Sequence, residues 1–314
     1  MNSGLYKLMM LLLLAVIACG QRKKEKQNNS KQLLPESYDL TKAQIFPLPP
    51  VLNEISGIAF RNGNADTVYA QQDEEGKLFR FHLGDKAVAG TKFGQKGDYE
   101  DVQVCNNQVI MLRSDGVLYS FPAGAVPNTE TRAVKEYKKL LPAGEYEGMY
   151  ADNRTHKLYV LCKHCNEKLS KTITGFILAV ENDDVKYAER FTIDIKAIEE
   201  LVSRKNMKFQ PSALAWNGQK GQWFILSSIN KLLVVADANW NVDAAYPLNP
   251  SVFNQPEGIA FDNSNNMYIS NEKGTANSAT ILKIEYDKNE LQAPDKNPTP
   301  LLYNGWCFAR YISQ

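Results

Sequence analysis

Glu100, Glu147 and Glu257 hold the same place in three copies of one short pattern, Tyr-Glu-Asp-Val, Tyr-Glu-Gly-Met and Pro-Glu-Gly-Ile. Two further copies carry serine there, Ser56 in Ile-Ser-Gly-Ile and Ser212 in Pro-Ser-Ala-Leu. Carboxylates at equivalent positions around one axis repel each other unless a cation or a basic side chain sits among them. Hard oxygen ligands from several segments suit calcium, which takes about 6–8 oxygens at about 2.3–2.6 Å. Glu100, Glu147 and Glu257 are therefore the first candidate ligands for a calcium ion, with Asp101 and Glu272 behind them. The alternative is structural: such an acid can accept backbone N–H bonds from the next unit, or pair with Arg113 or Lys163, and so hold units together.

The elements that must position these acids follow from the spacing. The shared position falls at residues 56, 100, 147, 212 and 257, in steps of 44, 47, 65 and 45. Each copy opens an alternating apolar strand, and a second strand follows about ten residues on: 67–70, 109–112, 158–161, 223–226 and 267–270. A third follows a turn, as in 77–81 and 280–284. Four short antiparallel strands in roughly 45 residues make one blade of a β-propeller. The chain is thus read as all-β, a five-bladed β-propeller, with a six-bladed ring as the alternative. Two β-sandwich domains would not repeat one motif at near-constant period. The long third step is assigned to a short helical insertion at 194–204, where Ile195, Ile198 and Val202 lie at helical spacing. Lys42 to Pro49 or Leu301 to Ile312 must close the ring, and the N-terminal strand is the favoured one.

In a blade the first and second strands form a hairpin, so the start of one lies beside the end of the other. That geometry gathers Glu54, Glu100, Glu147, Gln210 and Glu257 onto one face of the tunnel, next to Asp73, Arg113, Lys163, His164, Ser227, Asn271 and Glu272. Cys162-Lys163-His164-Cys165 reaches the same face; a disulfide, half a metal site and a redox pair are all open to it. Cys105 and Cys307 complete the set left after Cys19.

The ISGIAF, YEDV, YEGMY and PEGIAF segments, with YISNE after the last, resemble the SdiA-regulated (YjiK-like) family of bacterial propellers, distantly similar to NHL repeats, over about residues 45 to 310. The resemblance implies a five-bladed propeller that can hold calcium. It implies no reaction.

The N-terminus bears on location. Residues 1–18 read as a signal peptide, with Lys7 before the apolar stretch Leu8 to Ala18. That stretch is too short for a permanent span, which needs about 20 residues. Val16-Ile17-Ala18-Cys19 resembles the bacterial lipobox, making Cys19 the candidate lipidation site. Gly20 follows it, so in a Gram-negative cell the outer membrane is the expected home. Residues 19–36 form a polar, basic tether, and 37–314 the propeller domain. The whole chain carries +1. Without Lys7 and the tether the folded part is about −4, which argues against nucleic acid as a partner.

Two functions remain. One is a non-catalytic binding or scaffold module at the cell envelope, meeting a protein, peptide or glycan. The other is a calcium-dependent hydrolase of a lactone, ester or phosphoester. His82, His156 and His164 are the only histidines, and no Ser-His-Asp order or nucleophile elbow is present. Binding is the preferred reading. Replacing Cys19 by serine should move the protein from the membrane to the soluble fraction; unchanged fractionation of that variant would refute the anchor.

Overall fold

The computed structural model describes residues 37–165, 171–181 and 184–288. Cys19 with the leader and tether, Cys307 and the segment from Leu301 to Ile312 lie outside the described residues.

Five four-stranded antiparallel sheets follow one another along the chain. After β1 (Gln44–Pro47), the first blade holds β2 (Ile55–Phe60), β3 (Val68–Gln72), β4 (Lys77–Phe81) and β5 (Ala89–Lys92). The second holds β6 (Tyr99–Cys105), β7 (Gln108–Arg113), β8 (Leu118–Pro122) and β9 (Lys135–Tyr137). The third holds β10 (Gly144–Asp152), β11 (Lys157–Cys165), β12 (Thr172–Glu181) and β13 (Asp184–Asp194). Helix α1 (Ile195–Leu201) leads to the fourth, β14 (Ala213–Asn217), β15 (Gln222–Ser227), β16 (Leu232–Ala236) and β17 (Val242–Pro247). The fifth blade combines β18 (Pro256–Phe261), β19 (Met267–Asn271) and β20 (Thr280–Ile284) with β1, which pairs Gln44 with Lys283 and Pro47 with Thr280. The five-bladed reading and closure by the N-terminal strand are therefore both seen.

Closure is locked by Tyr38, which is buried. Its hydroxyl donates to the Asn265 carbonyl at 2.7 Å and accepts from the side-chain amides of Asn217 at 2.8 Å and Asn265 at 2.7 Å. One phenol thus ties the segment before β1 to the fourth and fifth blades.

The 65-residue step has two causes, of which the helix is one. Asp194 caps α1 by accepting from the Lys196 N–H at 2.8 Å, and Ile195 and Ile198 bury between blades with Phe209, Trp223 and Leu232. The other is the β12–β13 hairpin, whose strands of 10 and 11 residues are the longest in the ring.

The core is divided among the blade interfaces. Separate apolar clusters join blades one and two, two and three, three and four, four and five, and five and one. Each fully buried Leu, Ile or Phe contributes roughly 1.5–3 kcal/mol.

Nearest the axis the first strands crowd together, and small residues let them do so. A Cβ on Gly258 would come 2.6 Å from the Ser56 carbonyl oxygen of the next blade. A Cβ on Gly57 would come 2.2 Å from Asp101 Oδ1 and 2.7 Å from the Asp101 Cα. Asp101 holds the equivalent place in the second blade and fills the space opposite Gly57. It is 3 % exposed; Oδ1 accepts from the Val102 N–H at 2.7 Å and Oδ2 from the Met149 N–H, on the third blade, at 2.6 Å. Both oxygens face backbone donors, so this acid joins blades and does not line the tunnel mouth with Glu100. Asp101→Ala should strand both N–H groups and cost about 1–3 kcal/mol for each; Tyr38→Phe should also lower the midpoint of urea unfolding. A midpoint unchanged in either variant would contradict the role given to that side chain.

Candidate functional site

A β-bulge sets the site. In blades one, two, three and five the ladder between the first two strands skips at the motif: Ile55 pairs with Gln72 and Ile58 with Ala70, Tyr99 with Arg113 and Asp101 with Leu112, Tyr146 with Cys162 and Met149 with Val160, Pro256 with Asn271 and Gly258 with Ser270. The skipped residues include Ser56, Glu100, Glu147 and Glu257. A bulge re-aims its side chain, and here it turns three glutamates toward one mouth of the tunnel. Residues two positions earlier reach the same opening: Glu145 meets Lys163, Gln210 and Gln255 line one cavity with Glu147 and Glu257, and Glu54 and Asp98 act on Asp73. Asp98, Glu145 and Gln255 therefore join Glu54 and Gln210 in the same setting, a set that the strand period could have identified beyond Glu54 and Gln210.

One side of the mouth, at blades three and four, is neutralised by paired charge. Lys163 donates to Glu145 Oε1 at 2.9 Å and, more closely, to Glu147. Burial alone would lower the Lys163 ammonium, but these two bonds hold it above its ordinary value. Burial raises Glu147 although Lys163 opposes it. His164 Nδ1 donates to Glu145 Oε2 at 2.6 Å, while the Gln210 side-chain amide donates to His164 Nε2. The structural alternative set against calcium thus describes Glu147. The alternative with Arg113 is not realised: its guanidinium forks onto Asp115 at 2.9 and 2.8 Å and reaches the Tyr119 hydroxyl.

Cys162 and Cys165 form a disulfide, which selects one of the three readings of that motif. It brackets Lys163 and His164, the two residues that serve Glu145 and Glu147. Cys105 is a buried free thiol pushed up to about 11 by burial and by Asp152.

The other side, at blades five, one and two, is acidic. Burial, then Glu147, Asp98 and Glu257, push Glu100 up to about 9. Burial, then Glu147, push Glu257 up to about 7, against bonds from Ser228 and Gln255. Glu272 rises to about 8, by burial and by a hydrogen bond with Glu54 that two carboxyl groups make only when a proton lies between them. Its other bond comes from the Gln255 amide. Burial, then Glu54, Asp98 and Glu74, push Asp73 up to about 6. Asp73 Oδ1 is buried without a hydrogen-bond partner.

Ser227 and Asn271 lie beneath this surface. The Ser227 hydroxyl donates to the Gln210 carbonyl at 2.6 Å, and the Asn271 amide donates to the Val252 carbonyl at 3.2 Å. Asn271 Oδ1 is a second buried acceptor without a partner.

These residues fit a calcium ion in donor chemistry, since carboxylates and an orphaned carboxylate oxygen surround one opening. They do not stand as a finished cage: among the described residues no three acid, histidine or cysteine side chains are close enough to share an ion. His82 and His156 belong elsewhere, His82 on the Asp66 carbonyl and His156 on Asn106 at 2.8 Å.

No curated protein matches the chain by sequence. Among solved structures, the glutaminyl cyclase of Myxococcus xanthus is similar with a TM-score of 0.50 and 12% identity, over 78% of this chain and 94% of that one. Regucalcin of Agrobacterium tumefaciens, described as a calcium-binding protein, has a TM-score of 0.47 and 11% identity, over 77% and 92%. The first likeness shows the fold alone, and the second carries no argument. The sequence profile named SdiA-regulated matches residues 31–275. By that match, and with the five-bladed ring it accompanies, the chain belongs to the SdiA-regulated family.

Proposed function

We propose that this protein is a non-catalytic binding module of the cell envelope, anchored through Cys19, whose acidic mouth takes a cation. The outer membrane is its place in a Gram-negative cell. The observation that carries the reading is the crowding of carboxyl groups around one opening where Asp73 Oδ1 is buried without a hydrogen-bond partner. Asp73, Glu100, Glu257 and Glu272 are all pushed up by burial first and by neighbouring acids second. A cation among them would replace protons as the source of neutrality. No three of these side chains are close enough to share an ion as they stand, so calcium would have to draw Asp73 toward Glu54 and Glu272, and it would supply positive charge to the opening. Membrane-proximal tethering limits partners to those met at the bilayer surface, an envelope protein, a peptide or a glycan.

A non-catalytic role is supported by the chemistry of the mouth. His164 is occupied by Glu145 and Gln210, and the carboxyl group nearest a lysine, Glu147, is held by that lysine.

The pH dependence gives the test. An acid whose folded pKa exceeds its ordinary value keeps a proton that the unfolded chain has released. Stability is then unaffected below about pH 4.5 and is lost as pH rises toward the folded pKa. With folded values of about 6 to 9, the melting temperature of the full chain in detergent should fall between pH 5 and pH 9. Glu100→Gln should flatten the upper part of that fall. Calcium in excess of its dissociation constant should raise the melting temperature more at pH 8 than at pH 5, since a ligand at a hundredfold excess stabilises by about 2.7 kcal/mol. No calcium effect at pH 8 would overturn the cation reading. Calcium-dependent turnover of a lactone, aryl ester or phosphoester that Glu147→Gln abolishes would overturn the non-catalytic one.

A further inference from the structure

Where blades three, four and five meet, the mouth deepens into a cavity of about 350 Å³. Its walls carry Glu147, Lys163, Lys231, Gln255 and Glu257, with Ser212 and Ser228 among them. Two of these charges satisfy each other, since Lys163 is bound to Glu147 and Glu145. The other two do not. Lys231 sits in the turn after β15 with a left-handed backbone, φ +51°, and its ammonium donates to the Asn254 carbonyl at 2.6 Å. It makes no ion pair among the described residues. Glu257 opens β18 across the cavity and takes its bonds from neutral groups, Ser228 and Gln255. Again no ion pair is made. A half-buried ammonium and a half-buried carboxyl group thus face one space without touching. Each has given up part of its hydration with no direct opposite charge in return, a costly arrangement unless something bridges it.

We propose that this cavity binds a small zwitterion of the amino-acid or dipeptide class, its carboxylate on Lys231 and its ammonium on Glu257. The proposal rests on the reading of this mouth as a binding end; the cavity lies on its lysine-bearing side, and Glu257 is the one residue of the acidic side that lines it. Charge assigns the orientation, because the reverse pose would set like against like at both ends. Gln255, Ser212 and Ser228 supply neutral polar groups along the wall. Ile229 stands at the rim, 64% exposed, where it can cover the side chain of the ligand. The volume is at the lower end of the range of small-molecule sites, about 300–1,000 Å³, which suits a dipeptide and leaves little room for a folded partner.

Calorimetry on the full-length chain in detergent tests this with L-alanyl-L-alanine, its N-acetyl derivative and its C-terminal amide. The free dipeptide should bind one to one, and each capped form at least tenfold more weakly. Lys231→Met should abolish the preference for the free carboxylate, and Glu257→Gln the preference for the free amine. Lys231→Gln serves as the second variant where the methionine does not fold, as judged by its melting curve. Absence of binding by the free dipeptide, or equal binding by both capped forms, overturns the proposal. Calcium titrated into the same preparation separates the two readings. A calcium-raised melting temperature with a silent dipeptide sinks the zwitterion site alone, and dipeptide binding without a calcium effect sinks the cation alone.

Discussion

Five strands have to pass close to one axis, and everything else in this propeller answers to that crowding. At the narrowest point the third motif residue is Gly57, Asp101, Gly148, Ala213 or Gly258, and a Cβ on Gly57 or Gly258 would collide with the neighbouring blade. The one large member of the set, Asp101, is tolerated because Gly57 leaves it room and because backbone N–H groups of two blades occupy its oxygens. Side chains that cannot fit beside the axis are turned out of it. The bulges beside the motif do this, and the glutamates one residue earlier consequently point to the mouth.

Packing therefore creates the electrostatic problem that the site has to solve. Acids assembled by five-fold repetition repel, and two different devices relieve the repulsion. At the third blade Lys163, bracketed by the Cys162–Cys165 disulfide, is placed between Glu145 and Glu147. At the fifth and first blades there is no such lysine, and burial with neighbouring acids pushes Asp73, Glu257 and Glu272 up instead. The acidic side is thus left without a fixed countercharge, whereas the lysine-bearing side is held by its ion pairs. The asymmetry comes from small departures between blades, not from a separate insertion.

Ring closure shows how local chemistry secures a global topology. The hydrogen bonds between β1 and β20 bring the N-terminal strand into the last blade. Tyr38 then fixes the chain just ahead of that strand by exchanging bonds with Asn217 and Asn265 in a buried setting, where each unmet bond is expensive. Closure thus depends on a residue whose sequence context, Ser-Tyr-Asp, is that of an ordinary polar loop.

Strand number, the motif period, the five blades and the closing strand were legible because a blade is a local unit, and its alternation of apolar residues is written along the chain. The candidate acids were legible for the same reason, as equivalent positions in a repeat. Their roles were not. Which acid meets a lysine depends on Lys163 arriving from the next strand, and Asp101 differs from Glu100 by one residue yet lies on the other side of a bulge that no periodicity marks. Lys231 carries no repeat signature at all, since it reaches the cavity from a turn. Sequence by itself determined the architecture and the stock of charged groups at one mouth. Only the tertiary structure decided which of those charges are paired, pushed up by burial or left facing a cavity, because burial and distance between blades set the balance of charge, and neither is a property of one blade alone.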